Sequence, residues 1–182
     1  TGTRLVADLT ADAGPRAAYP REITAVRGTV FFRLGDEAHG TELWKSGGHR
    51  ANTGLVKDII PGLARSIPSN LTAFRGLLFF TAYDRDHGRE LWRSDGTEEG
   101  TVLVKDVFPG NPDPPSYGVS EPTVAGDTLF FATDDGETGP ELWKSDGTED
   151  GTVRVRDIRA GEIGSYPQHL TDVDGILFFS SG

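Results

Sequence analysis

One octapeptide limits what this chain can fold into more than any other feature. Glu90-Leu91-Trp92-Arg93-Ser94-Asp95-Gly96-Thr97, followed by Gly100-Thr101, returns almost unchanged as Glu141 to Thr148 with Gly151-Thr152. An altered copy runs from Glu42 through Leu43, Trp44, Lys45 and Ser46 to Gly48. The three tryptophans lie 48 and 51 residues apart. A fixed period of that length dictates a repeat architecture, in which each unit buries its faces against its neighbours.

The rest of each unit recurs in the same order. A short run such as Leu71 to Phe74 is followed by Arg75-Gly76, a longer apolar run (Leu77 to Ala82), an acidic turn (Asp84 to Gly88) and the Glu-Leu-Trp run. A strand ending in Asp comes next, and a Pro-Gly loop closes the unit. The Phe-Phe pair starts at 31, 79, 130 and 178, and the terminal Asp stands at 8, 58, 106 and 157. Neighbouring residues on a strand point to opposite faces. Two adjacent phenylalanines therefore ask for burial on both faces.

These features predict an all-β chain, a β-propeller segment of four-stranded antiparallel blades. Short turns force consecutive strands to pair antiparallel. The predicted blades are 22–59, 70–107 and 121–158. Residues 1–9 (Thr3–Leu9) are expected as the outer strand of a preceding blade, and 169–182 as the start of the next. Both ends cut a repeat, so a piece of a longer repeat protein is expected, not a closed monomer. Its open edges would meet further repeats or another copy. A β-solenoid is the main alternative, although its coils are usually shorter.

The octapeptide and its multiple copies resemble the ELWxxDGT repeat family of bacterial secreted and surface proteins. The resemblance covers nearly the whole chain and implies a repeat domain outside the cell or on its surface. It implies no established activity. The first copy departs from the pattern, with Gly47-Gly48-His49 in place of Asp-Gly-Thr and Asn52 in place of Gly100.

The formal net charge of −10 opposes binding to nucleic-acid phosphates. No apolar run approaches a membrane-spanning length. Absence of cysteine removes disulfide and thiol chemistry. Among polar residues, the Ser-Asp-Gly-Thr turn resembles the Asp-box turn of sialidase-like propellers, with Asp accepting N–H bonds from two residues on. Glu42, Glu90 and Glu141 read as cross-strand ion-pair partners of Lys57, Lys105 and Arg156, or as a ring of inward carboxylates. Asp84 and Asp86 in Asp84-Arg85-Asp86-His87-Gly88 have the alternate-oxygen spacing of a calcium loop, so Ca²⁺ is a possible ligand there. The histidines show no zinc-like spacing. No catalytic constellation interrupts the repeat. The reading is a non-enzymatic binding or display scaffold for a glycan or protein. A polysaccharide-acting hydrolase or lyase with a site at the propeller centre, and a purely structural surface protein, are the alternatives.

Overall fold

The structure, a computed structural model, describes residues 2–9, 19–110, 119–120 and 122–182. Three four-stranded antiparallel sheets follow one another. The first holds β1 (Arg21–Val26), β2 (Thr29–Asp36), β3 (Gly40–Ser46) and β4 (Thr53–Lys57). The second holds β5 (Ser69–Phe74), β6 (Leu77–Asp84), β7 (Gly88–Ser94) and β8 (Val102–Lys105). The third holds β9 (Thr123–Ala125), β10 (Thr128–Thr133), β11 (Glu141–Ser145) and β12 (Val153–Arg156). A two-stranded sheet, β13 (Gln168–Val173) with β14 (Ile176–Ser180), follows. The only helical element described is one 3₁₀ turn at Arg50–Asn52. Among the described residues no helix is long and apolar enough to cross a membrane.

Within each sheet the strands lie in sequence order, and backbone contacts between sheets gather at the first strands, β1 with β5 and β9 with β13. This is blade geometry, with the first strand innermost. Equivalent threonines tie the inner strands together. Thr24 Oγ1 donates to Leu71 O at 2.9 Å, Thr72 Oγ1 to Pro122 O at 3.3 Å and Thr123 Oγ1 to Leu170 O at 3.3 Å. The hairpins that open the blades turn on Arg27-Gly28, Arg75-Gly76 and Asp174-Gly175, with both residues of each pair at positive φ. That is the type I′ pattern, whose twist matches the flanking strands.

Alternation sorts side chains into two faces, as the Phe-Phe pairs require. Val26, Phe31, Leu43 and Val56 of the first blade pack against Leu78, Phe80, Ala82 and Trp92 of the second. Phe74, Phe79, Leu91 and Val104 of the second pack against Leu129, Phe131 and Trp143 of the third. Each blade thus presents its first Phe forward and its second Phe backward. The forward Phe also supports the next blade's turn. A Cβ on Gly147, at φ +96°, would stand 2.8 Å from the Phe79 ring, so only glycine fits.

One expectation needs correction. Thr3–Leu9 is not a strand. A ladder needs a neighbour, and no described strand runs beside it. The segment still lies against the first blade, with Arg4 Nη2 donating to Gly48 O at 3.1 Å. Trp44 is only half-buried, whereas Trp92 and Trp143 are buried, because no full blade among the described residues covers the first blade's rear face. The converse holds at the other side. Val155 and Phe178 are 44 % and 56 % exposed, while their equivalents Val104 and Phe79 are 5 % and 1 %.

Trp92→Ala should cost about 3–5 kcal/mol in denaturant unfolding, and Trp44→Ala clearly less. A Trp92→Ala loss below about 1 kcal/mol would mean that the indole is not part of the packed interface.

Candidate functional site

The blades have two rims. One carries the tight turns and the Ser-Asp-Gly-Thr turns. The other carries the hairpins between second and third strands, together with the loops that cross from one blade to the next.

The Glu-Leu-Trp glutamates work at the crossing rim. Glu42 is fully buried and receives Ser66 N at 2.9 Å, Ile59 N at 3.3 Å and the Ser66 hydroxyl. Glu141, also fully buried, receives Ile158 N and Arg159 N, both at 3.2 Å, and Ser165 Oγ at 2.6 Å. Glu90 receives Val107 N at 3.3 Å. Glu42 and Glu141 hold the start and end of their crossing loops and Glu90 the start of its own; among the described residues none of the three is in an ion pair. The expected partners go elsewhere. Lys57 Nζ donates to Thr101 O at 2.9 Å and Lys105 Nζ to Thr152 O at 3.0 Å, each bridging to the following blade. Lys side chains on the outer strand reach past their own blade because the glutamates point inward. The crossing residues Asn111 to Pro115 lie outside the described residues.

Burial pushes Glu42 up to about 7, with the Ser66 and Ile59 donors pulling against it. Burial pushes Glu90 up to about 8, opposed by the Val107 N–H and reinforced by the charge of Asp106.

At the opposite rim the Asp-Gly-Thr turns behave as their sequence implies. Asp95 Oδ1 accepts from Thr97 N at 2.8 Å and Thr97 Oγ1 at 2.7 Å; Asp146 repeats this with Thr148 at 2.9 and 2.7 Å. Those bonds hold both carboxyls below the usual range. Ser94 Oγ accepts from Gly96 N at 2.9 Å. The altered first copy substitutes Asn52, whose Oδ1 accepts from His49 N at 3.0 Å.

Asp84 and Asp86 stand on the hairpin at the crossing rim. Asp84 Oδ1 accepts from Asp86 N at 2.9 Å and His87 N at 2.7 Å, and its Oδ2 meets His87 Nδ1 at 2.8 Å. Asp36 and His39 repeat this arrangement, with Nδ1 at 2.8 Å from Oδ2. Asp84 is therefore engaged within its own turn. Among the described residues no group of three or more His, Asp or Glu side chains is placed to hold a metal. The hydrogen bond to Asp84 raises His87, and that to Asp36 raises His39.

Sequence reasoning missed the niches between blades on the crossing rim. One lies between the third blade and the β13–β14 sheet, lined by Ser120, Ala132, Thr133, Pro140, Tyr166 and Gln168. The backbone builds it: Pro140 O accepts Ser165 N and Tyr166 N, both at 3.0 Å. Between the first two blades Thr41 O accepts Ile67 N at 3.1 Å, which marks the equivalent place. The signal was present in the sequence, as positions where equivalent residues differ between blades.

No family model matches the chain, and no curated protein matches it. Among solved structures, a thermostable family-43 glycoside hydrolase aligns over 76 % of this chain with a TM-score of 0.37 and 11 % identity. The chain spans about half of that structure, 51 %.

Two predictions arise from the site. A carboxyl whose folded-state pKa exceeds its unfolded value binds its proton more tightly when folded. The stability linked to Glu42 and Glu90 is thus full below about pH 4.3 and is lost as pH rises through about 7 and about 8. The raised histidines act in the same direction above their unfolded value of about 6.5. Denaturant midpoints should be higher at about pH 5 than at about pH 8, and Glu90→Gln should flatten the slope. An unchanged slope in Glu90→Gln would remove Glu90 as its source. Calcium at the Asp84 hairpin would have to displace His87. If it binds, millimolar Ca²⁺ should raise the melting temperature and Asp86→Ala should abolish the rise; an unmoved melting temperature rejects the site.

Proposed function

We propose that this chain is a non-enzymatic binding scaffold of the ELWxxDGT repeat type, displayed outside the cell, which takes a glycan at its crossing-loop rim. One observation carries the reading. The polar groups that recur with the repeat are spent on the frame. Glu42 and Glu141 hold crossing loops, and Asp95 and Asp146 hold turns. A catalytic acid or base has to reach a substrate proton, and these groups face inward or bond their own backbone. Side chains that differ between blades line the niche instead, Tyr166 and Gln168 among them, with the Ser120 hydroxyl beside them. A concave site with a few convergent polar groups suits a sugar.

The test is retention on immobilised polysaccharides, combined with an assay for released reducing ends. The expected result is retention without release, weakened by Tyr166→Ala. Turnover would establish the enzyme reading. No retention on any glycan would leave a protein ligand or a purely structural role.

A further inference from the structure

The crossing rim between the first two blades holds a group of arginines that the frame does not require. β1 and β2 pair in one register from Val26↔Thr29 to Thr24↔Phe31, then shift at a bulge so that Arg21 stands opposite Arg33. Continued without the bulge, that register would have set Glu22 opposite Arg33. The Glu22 carboxylate goes instead to the second blade, where Oε2 accepts Asn70 N at 3.0 Å. Like charges directly opposite on a sheet destabilise it. Arg89, from β7, is the third member. Burial lowers its pKa, and the charge of Arg33 lowers it further, so the two guanidinium groups sense each other.

Neutral acceptors hold both groups in place. Arg33 Nη1 donates to Ser69 Oγ at 2.9 Å and to Pro68 O at 3.3 Å. Arg89 Nη1 donates to Ile67 O at 3.2 Å and to Thr81 Oγ1 at 3.4 Å. The ion pairs among the described residues are Asp36–His39, Asp84–His87 and Asp135–Arg154; none involves Arg21, Arg33 or Arg89. In a chain of net charge −10 this is an unexpected place to leave positive charge without a carboxylate.

A bland reading makes the arginines clamps for the crossing loop. The other blades argue against it. Register places Ser69↔Thr81 and Gln168↔Ser180 where the first blade has Arg21↔Arg33. At the position of Arg89 the first blade has Thr41 and the third has Pro140, and at that of Arg33 the third has Ala132. The crossing that follows the third blade holds through Pro140 O with no arginine on β10, and the crossing that Arg33 and Arg89 touch has a backbone bond of its own, Ile67 N to Thr41 O.

We propose that Arg33 and Arg89, with Arg21 beside them, bind an oxyanion, the carboxylate or sulfate of an acidic saccharide. A guanidinium fork presents several N–H donors and matches such groups in bidentate fashion. Among the described residues only Nη1 of each group is engaged by the frame, so further donors are offered to a ligand. The proposal rests on the binding reading above and adds the class of ligand.

The test uses Arg33→Thr and Arg89→Thr, which copy residues that other blades carry at these positions. Calorimetric titration would use an oligogalacturonate, a sulfated oligosaccharide and a neutral cello-oligosaccharide. The carboxylated and sulfated arms separate the two sources of anion. At least one acidic ligand should bind, with affinity falling as NaCl rises. Each substitution should weaken it at least tenfold. Without ligand, the variants should melt no lower than the parent, because a like-charge contact is relieved; a clamp role predicts a lower melting temperature. Acidic binding that is unaffected by both substitutions, or no acidic binding at all, overturns the proposal. Retention of neutral glycans with no acidic preference overturns it while leaving the binding scaffold intact.

Discussion

Everything in this structure depends on a strand that buries both of its faces. Phe31 and Phe32, and likewise Phe79 and Phe80, point in opposite directions and are all buried. A lone sheet would leave one of each pair in water, at a cost of roughly 1.5–3 kcal/mol per side chain. A blade therefore needs a neighbour on each side. The forward set centred on the first Phe and the rear set centred on the second Phe and the Trp are complementary, so blades stack in one order only. Exposure of Val155, which faces β13 and β14, is the same rule seen where two strands stand in place of four, and Phe178, on β14, has no described blade in front of it.

The buried glutamates solve the next problem, which is how to pass from the outer strand of one blade to the inner strand of the next. The crossing loop carries backbone N–H groups with no ladder to satisfy them, and a buried N–H without a partner is costly. A carboxylate accepts several at once. Glu42 and Glu141 each draw donors from both ends of a loop, 17 to 24 residues away in sequence. Desolvation is the cost, visible in the raised titration of Glu42 and Glu90. A glutamine could not accept as many bonds, because its amide nitrogen only donates.

The fold was legible in the chain because its signals repeat. Phe-Phe pairs, Gly-containing turns and the Glu-Leu-Trp strand each appear several times, and the sheets are four-stranded and antiparallel as expected. The role of Asp95 and Asp146 was legible for the same reason, since an Asx turn is local. The glutamates were misread because their partners are distant: Ser66 and Ser165 lie in loops, whereas Lys57 and Arg156 lie on the adjacent strand and looked nearer. Thr3–Leu9 was misread because a strand-like sequence still needs a neighbouring strand. The niches and the arginine group were missed because they form only between blades, where one unit's sequence does not show what its neighbour brings.

The two rims have divided their work, and backbone strain shows where. Outside the tight hairpin turns, the non-glycine residues at positive φ among the described residues are Glu22, Ile67, Asn70, Tyr166 and His169, and all lie on the crossing rim. Three of them, Glu22, Asn70 and His169, sit at equivalent bulges that open the inner strands. A left-handed non-glycine residue costs of order 1 kcal/mol or more. A frame that needed only the bend could place glycine there and avoid that cost. It places Glu, Asn and His instead, three different polar side chains on one backbone shape. A bulge also re-aims the residue beside it, and the residues beside these are Arg21, Ser69 and Gln168. On the opposite rim the Ser-Asp-Gly-Thr turns of the second and third blades are nearly identical. Uniform turns are what stacking asks of a repeat; the varied side chains at the strained positions are what the proposed recognition would draw on.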